Sequence, residues 1–352
     1  MRDVWQPDAV DRDIVDFRVL DRWMDDQGLP GGPITEVGRL AGGTQNVMLR
    51  LRRGGRTYVL RRPPEHPRAK SNDALVREMR VLAALADTPV PTPGFVAGCA
   101  DPDVLGGAVF YLMEHVDGFN PSVTLPSPHA DDAAMRHRMG LNAAGAIATL
   151  GEVDHVAAGL GDVGRPEGFL ERQVPRWLSE LESYGKLDGY PGPDIPGVDR
   201  VAGWLERNRP ASWRPGLMHG DFHLANIMFR HDGPEVAAII DWEMVTVGDP
   251  LLDLGWLLAT WPDPDGGTIS GGSPLAAAGG LPTRDELVAW YGARSGRDLS
   301  ATTWYDVLAC FKLGIVLEGS NARAHAGKAP KEIGDRLHAH TLNLFARATS
   351  LI

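Results

Sequence analysis

Cysteine is almost missing from this chain: Cys99 and Cys310 are the only two in 352 residues, far apart and outside any CxxC spacing. That excludes a disulfide-stapled scaffold and a cysteine zinc site, and it fits a reducing compartment. No run reaches the roughly 18 apolar residues of a membrane-spanning helix, since even Leu251–Trp261 is interrupted by Asp253. Residues 1–16 are acidic and lack the apolar stretch of a signal peptide. A soluble, cytoplasmic protein without a membrane partner is expected. Clusters of Lys and Arg are also missing, and the formal charge is -11. Nucleic acid is therefore not an expected partner, because a phosphate backbone is bound by concentrated positive charge. The indoles of Trp204, Trp213, Trp242, Trp256, Trp261 and Trp290 read as core or substrate-wall residues rather than a base-stacking platform.

What is present is a globular balance, 43% hydrophobic and 23% charged, over a length that suggests two domains. Residues 11–27 have apolar positions at helical spacing and stop at Gly28 and Pro30. Three short β-prone runs follow, Ile34–Leu40, Val47–Arg52 and Thr57–Arg61, separated by Ala41-Gly42-Gly43-Thr44 and Arg53-Gly54-Gly55. Ser71–Ala86 predicts a helix whose apolar stripe contains a glutamate, Glu78. Strands are predicted at Gly94–Gly98 and Val109–Val116. From Asp131 onward helical periodicity dominates, at 133–150, 168–184, 198–208, 284–295 and 302–322. Residues 217–230 and the β-run 236–240 interrupt it with acidic and polar groups among strand formers. Pro262–Pro282, rich in Gly, Pro and Ser, is long for a structureless connection and reads as a mobile loop or lid.

The chemistry concentrates in that interruption, at His219-Gly220-Asp221, Asn226 and Ile240-Asp241-Trp242-Glu243. Phosphoryl transfer requires an oxygen base for the attacking hydroxyl and oxygen ligands that hold magnesium against nucleotide phosphates. Asp221 followed five residues later by Asn226 has the base-to-metal-ligand spacing of a kinase catalytic loop. Asp241 ends the next apolar strand, where kinases place a second metal ligand. His219 reads as a structural histidine bonding its own loop.

Leu217-Met218-His219-Gly220-Asp221-Phe222-His223-Leu224-Ala225-Asn226, Ile240-Asp241-Trp242-Glu243 and Gly248-Asp249-Pro250-Leu251-Leu252-Asp253-Leu254 resemble the aminoglycoside phosphotransferase and choline kinase superfamily. The narrower resemblance is to the branch similar to kinase-like domains fused to acyl-CoA dehydrogenases, through Tyr58–Pro64, Arg77–Leu82 and Phe169–Val174. It runs from about Thr35 to about Gly327. It implies an α+β, protein-kinase-like two-lobed fold. A small antiparallel β lobe with one helix and a leading helix (1–116) would bind the nucleotide, and a larger, mainly helical lobe (117–352) would hold catalytic and substrate groups. It implies ATP and Mg2+ as cofactors, Asp221 as catalytic base, and Asn226 and Asp241 as metal ligands. Glu78 would pair with the strand cation that meets the phosphates. Most kinases have lysine there; this chain has Arg61, which shares a strand face with Val59 and is preferred over Arg62. Gly42, Gly43, Thr44, Gln45 and Asn46 would cover the phosphates, and the backbones of Glu114 and Val116 would bond adenine. Asp249 and Asp253 resemble structural acids, the second bracing the catalytic loop.

The expected activity is thus ATP-dependent phosphorylation of a small-molecule hydroxyl, with a hydroxyacyl compound as the expected acceptor. That choice leans on the apolar set Trp256, Leu257, Leu258 and Trp261 and on the basic stretch Arg323, His325, Lys328 and Lys331. Three alternatives stay open: an aminoglycoside kinase; a non-catalytic nucleotide-binding module, suggested by Arg61; and a metal-dependent hydrolase reading His219-x-Asp221-x-His223 with Asp241 as a metal cluster.

Overall fold

The carboxylate of Asp16 accepts the backbone N–H groups of Arg18 and Val19 and so caps the first helix, α1 (Phe17–Asp26). The computed structural model describes residues 14–40, 46–64, 71–262 and 272–352. Five strands follow α1: β1 (Thr35–Arg39), β2 (Val47–Arg53), β3 (Arg56–Arg62), β4 (Phe95–Cys99) and β5 (Phe110–Glu114), with helix α2 (Ser71–Leu85) between β3 and β4. They form one antiparallel sheet in the order β1-β2-β3-β5-β4. All five predicted strands and both predicted helices are present.

Alternation along the strands sorts side chains onto the two faces. Leu49, Leu51, Leu60, Phe110 and Leu112 pack with Leu20, Trp23 and Met24 of α1, and the Trp23 and Phe110 rings meet edge-on at 4.7 Å. The opposite face carries Tyr111, which joins Leu75, Met79 and Leu82 of α2 in a cluster continuous with the helical part of the chain. Arg61 is paired with Tyr111 across the β3–β5 ladder and therefore lies on this α2 face. Arg62 falls on the other face and donates to the carbonyl oxygens of Ile14 and Pro63.

The helical part contains α3 (Ala133–Gly151), α4 (Gln173–Ser183), α5 (Val198–Arg207), α6 (Leu251–Thr260), α7 (Pro274–Ala278), α8 (Arg284–Gly292), α9 (Thr302–His325) and α10 (Lys331–Ser350). Two short antiparallel strand pairs lie in its middle, β6 (Gly216–Met218) with β9 (Thr246–Gly248) and the hairpin of β7 (Ile227–Phe229) with β8 (Val236–Ile239). No helix among the described residues is long and apolar enough to cross a membrane.

Two sequence expectations change, and one helix is added to them. Helix α4 starts at Gln173 rather than Gly168, because Gly168 has φ +60° and Pro175, which has no N–H to give, is accommodated only in a first turn. Residues 272–282 of the expected lid contain α7, capped by the Ser273 hydroxyl; residues 263–271 of that expectation lie outside the described residues. The region after the basic stretch is the helix α10, which buries Leu344, Phe345 and Ala348. The Phe311 and Phe345 rings of α9 and α10 meet at 5.8 Å.

Helix α6 packs on α9 at close range through Gly255, where an added Cβ would lie 2.4 Å from the Tyr305 carbonyl oxygen. That neighbour is backbone and cannot swing aside. Gly255→Ala should therefore lower unfolding free energy by about 1–3 kcal/mol, the usual cost of overpacking, in urea titration. Unchanged stability would mean the two helices can separate freely.

Candidate active site

Strand β6 is buried throughout and delivers the chain to a loop that turns on a single carboxylate. Asp253, in the first turn of α6 and 2% exposed, accepts the His219 N–H at 2.6 Å and the Gly220 N–H at 2.9 Å. Burial pushes its carboxyl up to about 6, against the pull of those two N–H groups and of Lys312. The His219 ring is fully buried and its Nε2 lies 3.0 Å from the Ile240 carbonyl oxygen, which makes Nε2 the protonated nitrogen. Nδ1 faces the Asp221 N–H at 3.4 Å. Burial drives this imidazole down to about 4, with nearby acids opposing, so it is neutral at physiological pH. The loop-bonding role expected of this residue matches its geometry.

Asp221 follows, with its side chain 36% exposed. Its Oδ1 accepts the indole N–H of Trp256 at 3.1 Å. Its Oδ2 accepts from Asn226 Nδ2 at 3.2 Å and lies 3.5 Å from His223 Nε2. Burial opposes ionisation here, but the hydrogen bond and charge of His223, then His219 and Lys312, outweigh it and hold the carboxyl at about 2. The Asn226 amide also donates to the Asp221 carbonyl at 2.9 Å. Both bonds use Nδ2, so Oδ1 of Asn226 points away from Asp221 as a ligand-ready oxygen.

The β7–β8 hairpin brings Asn226 beside Asp241. Ile227 pairs with Ile239, and the Ile240 N–H closes onto the Asn226 carbonyl at 2.9 Å. Asp241 has φ +66°, a conformation that few residues other than glycine adopt. Its carboxylate meets Arg61 Nη2 at 3.0 Å, while Arg61 Nε lies 3.2 Å from Glu78. The sheet, α2 and the end of β8 thus converge on one guanidinium. Glu78 is 2% exposed; burial raises its carboxyl to about 7, with Arg61 and a Tyr111 hydroxyl bond opposing. Burial works against the Arg61 charge as well, and Glu78, Tyr111 and Asp241 hold it protonated. Next along α2, Arg77 ties this helix to the Glu243 carbonyl at 2.9 Å.

Asn46 stands at the entrance to β2; Gly42, Gly43, Thr44 and Gln45 lie outside the described residues. The Glu114 N–H is committed to the Gly94 carbonyl at 2.7 Å. Asp249 accepts the Leu251 N–H at 3.1 Å and the Tyr305 hydroxyl, a structural arrangement. Of the apolar set after Asp241, Trp256 reaches Asp221, Leu257 and Leu258 are core, and Trp261 donates to the Pro282 carbonyl. Lys331 of the basic stretch pairs with Asp335. His219 Nε2 and His223 Nδ1 are turned to backbone groups while His223 Nε2 faces Asp221, and no group of three His, Cys, Asp or Glu side chains among the described residues could hold a metal. That arrangement disfavours the hydrolase reading. Two groups escaped the sequence reading, the Asp221 contact of Trp256 and the presence of Lys312, the one basic residue in the buried run Trp304–Ile315. A lone lysine in an apolar helix was the available signal.

Residues 36–290 match the model of the phosphotransferase enzyme family. Acyl-CoA dehydrogenase family member 11 of Rattus norvegicus is 31% identical over 330 residues, which cover 90% of this chain and 41% of that protein. Acyl-CoA dehydrogenase family member 10 of Mus musculus is 29% identical over 293 residues, 82% of this chain and 26% of that one. The chain therefore spans about two fifths or less of the curated relatives it matches. A solved structure from Ralstonia eutropha, named for the aminoglycoside phosphotransferases, superposes with a TM-score of 0.79 at 29% identity over 96% of this chain and 99% of that one. The GDP complex of aminoglycoside 2'-phosphotransferase-IIIa shares the fold, with a TM-score of 0.60 at 17% identity over 94% and 97%. The chain belongs to the phosphotransferase enzyme family.

Asparagine at position 253 could accept one of the two loop N–H groups but would turn an NH2 toward the other. Asp253→Asn should cost about 1–3 kcal/mol, the penalty for a buried donor left unsatisfied, and should raise amide exchange at His219 and Gly220. Unchanged exchange would show that the loop holds itself.

Proposed function

We propose, starting from that family membership, that this protein transfers the γ-phosphoryl group of ATP to a hydroxyl of a small molecule, with Asp221 as the base. The observation that carries the reading is that the Asp221–Asn226 contact at 3.2 Å and the Arg61 contacts to Glu78 at 3.2 Å and Asp241 at 3.0 Å are joined by the Ile240 N–H bond to the Asn226 carbonyl. In the proposed reaction the acceptor hydroxyl gives its proton to the free face of Asp221. Its oxygen forms the new bond to the γ-phosphorus, the bond to the bridging oxygen breaks, and ADP leaves.

Asn226 Oδ1 and the Asp241 carboxylate, 41% exposed on its side chain, are hard oxygen donors of the kind magnesium takes, with phosphate oxygens and water completing its shell. Bound there, magnesium would neutralise charge developing on the phosphates. Arg61 would hold the α- and β-phosphates, steadied by Glu78, and its planar fork suits both partners. Residues 41–46 would cover the phosphates. Glu114 would offer adenine its carbonyl and Val116 its backbone, since the Glu114 N–H is already bonded to Gly94. Residues 1–116 would then form the nucleotide-binding portion and 117–352 the catalytic and acceptor portion. With the three chemical roles filled, the non-catalytic alternative is disfavoured.

For the acceptor we favour a hydroxyacyl compound. The relatives named as acyl-CoA dehydrogenases support this.

Asp221→Asn should cut turnover by about 10²- to 10⁴-fold, the usual contribution of such a base, with nucleotide affinity retained. Asp241→Ala should instead lose magnesium-dependent nucleotide binding. Identical behaviour of the two variants in both assays would refute this division of roles. For the acceptor, kcat/KM should favour hydroxyacyl compounds over kanamycin-type aminoglycosides, scored by mass gain of one phosphoryl group. The reverse order would restore the aminoglycoside reading.

A further inference from the structure

Between the catalytic loop and helix α9 lies a cation that the proposed chemistry leaves unused. Lys312 is 8% exposed. Its Nζ donates to the Gly220 carbonyl at 3.2 Å and sits 4.3 Å from the centre of the Trp256 ring and 5.6 Å from that of Trp177. We propose that Lys312 is a positioning residue for phosphoryl transfer: its ammonium fixes the Gly220 carbonyl and the Trp256 indole, two of the groups that orient the Asp221 carboxylate. This rests on the reading of Asp221 as the base.

The Gly220 N–H is held by Asp253 at 2.9 Å, and the Gly220 carbonyl, which belongs to the peptide plane leading into Asp221, is held by Lys312 at 3.2 Å. The two sides of Gly220 are therefore clamped from α6 and α9. The Trp256 ring receives the ammonium on its face and presents its N–H to Asp221 Oδ1 at 3.1 Å. A cation against the face of an indole withdraws electron density from the ring and strengthens its N–H as a donor. Lys312 thus acts on Asp221 by two routes, neither of which requires it to touch the reacting atoms.

Stability alone does not account for a charge in this position. Burying an ammonium behind one carbonyl and an aromatic face costs more than burying a methionine of similar length. The charged groups facing it are Asp221 on the loop and Asp253 on α6, which favour the ammonium, and Arg176 on α4, which opposes it. Burial is the largest influence and brings the ammonium down to about 8. Lys312 is accordingly charged below that pH and neutral above it, and both routes fail on the alkaline side.

The test follows the Trp256 indole N–H by NMR, assigned by its loss in Trp256→Phe, alongside magnesium-ATP turnover with water as the acceptor. In the wild-type protein the indole signal should titrate with a midpoint near pH 8, the value to which the ammonium is lowered, and turnover should fall along the same limb. In Lys312→Met the titration should vanish and kcat should drop by about tenfold, with nucleotide KM changed by less than about twofold. Lys312→Arg should recover part of kcat and show no limb below about pH 10, because a guanidinium does not deprotonate there. An indole titration that persists in Lys312→Met, or a kcat within about twofold of wild type, overturns the proposal. Should Lys312→Met fail to fold, an alkaline limb unmoved in Lys312→Arg overturns it as well. A wild-type protein that binds no magnesium-ATP refutes the phosphotransferase reading instead, and the indole titration then still decides whether Lys312 is coupled to the Asp221 contact.

Discussion

A guanidinium buried between two carboxylates holds this site together. Arg61 is 6% exposed and spans Glu78 on α2 and Asp241 after β8. Removing the Arg61 and Glu78 charges from water is expensive, and their attraction to each other and to Asp241 compensates only while the geometry is kept. The position of α2 against the sheet, the left-handed turn at Asp241 and the register of the β7–β8 hairpin are therefore coupled through one side chain. Glu78, fully buried, is the fixed partner. Asp241 is the more exposed one, and so the partner that can be drawn toward an arriving ligand without uncovering a buried charge.

Behind that pair the loop carrying Asp221 has almost no freedom of its own. Asp253 takes its N–H groups from one side, Lys312 its carbonyl from another, and the His219 ring locks it to Ile240. These groups come from α6, α9 and the loop itself, so the rigidity of Asp221 is a property of the helical packing. Gly255 is part of the same arrangement, because the close approach of α6 to α9 brings Asp253 and Lys312 within reach of one loop. Buried polar groups of this kind are costly singly and specific together.

Much of this was legible in the sequence because its signals are local. Glycine turns and period-two alternation gave the strands, and the strand face of Arg61 followed from counting residues from Val59. Glu78 betrayed itself as an acid in an apolar stripe. The five-residue spacing from Asp221 to Asn226 is likewise local, since one loop and one short turn span it. The groups that support Asp221 from a distance were not legible as such. Trp256 lies 35 residues and Lys312 91 residues further along the sequence, and nothing in an apolar helix announces which of its side chains meets a loop that far away. Helix α10 escaped for a different reason. Its apolar face is thin, and the charged residues around Lys331 look like a solvated tail until α9 is there to receive Leu344 and Phe345.

On the proposed function, the charges gathered around Arg61 form a nucleotide-phosphate site completed by magnesium. Calorimetric titration of ATP, with and without magnesium, into the wild-type protein and Arg61→Ala tests it most directly. The account predicts magnesium-dependent binding by the wild type and a loss of about tenfold or more in affinity in the variant, as expected when a charge-assisted contact to phosphate is removed. Equal affinities for the two proteins, or binding by the wild type that ignores magnesium, would contradict it.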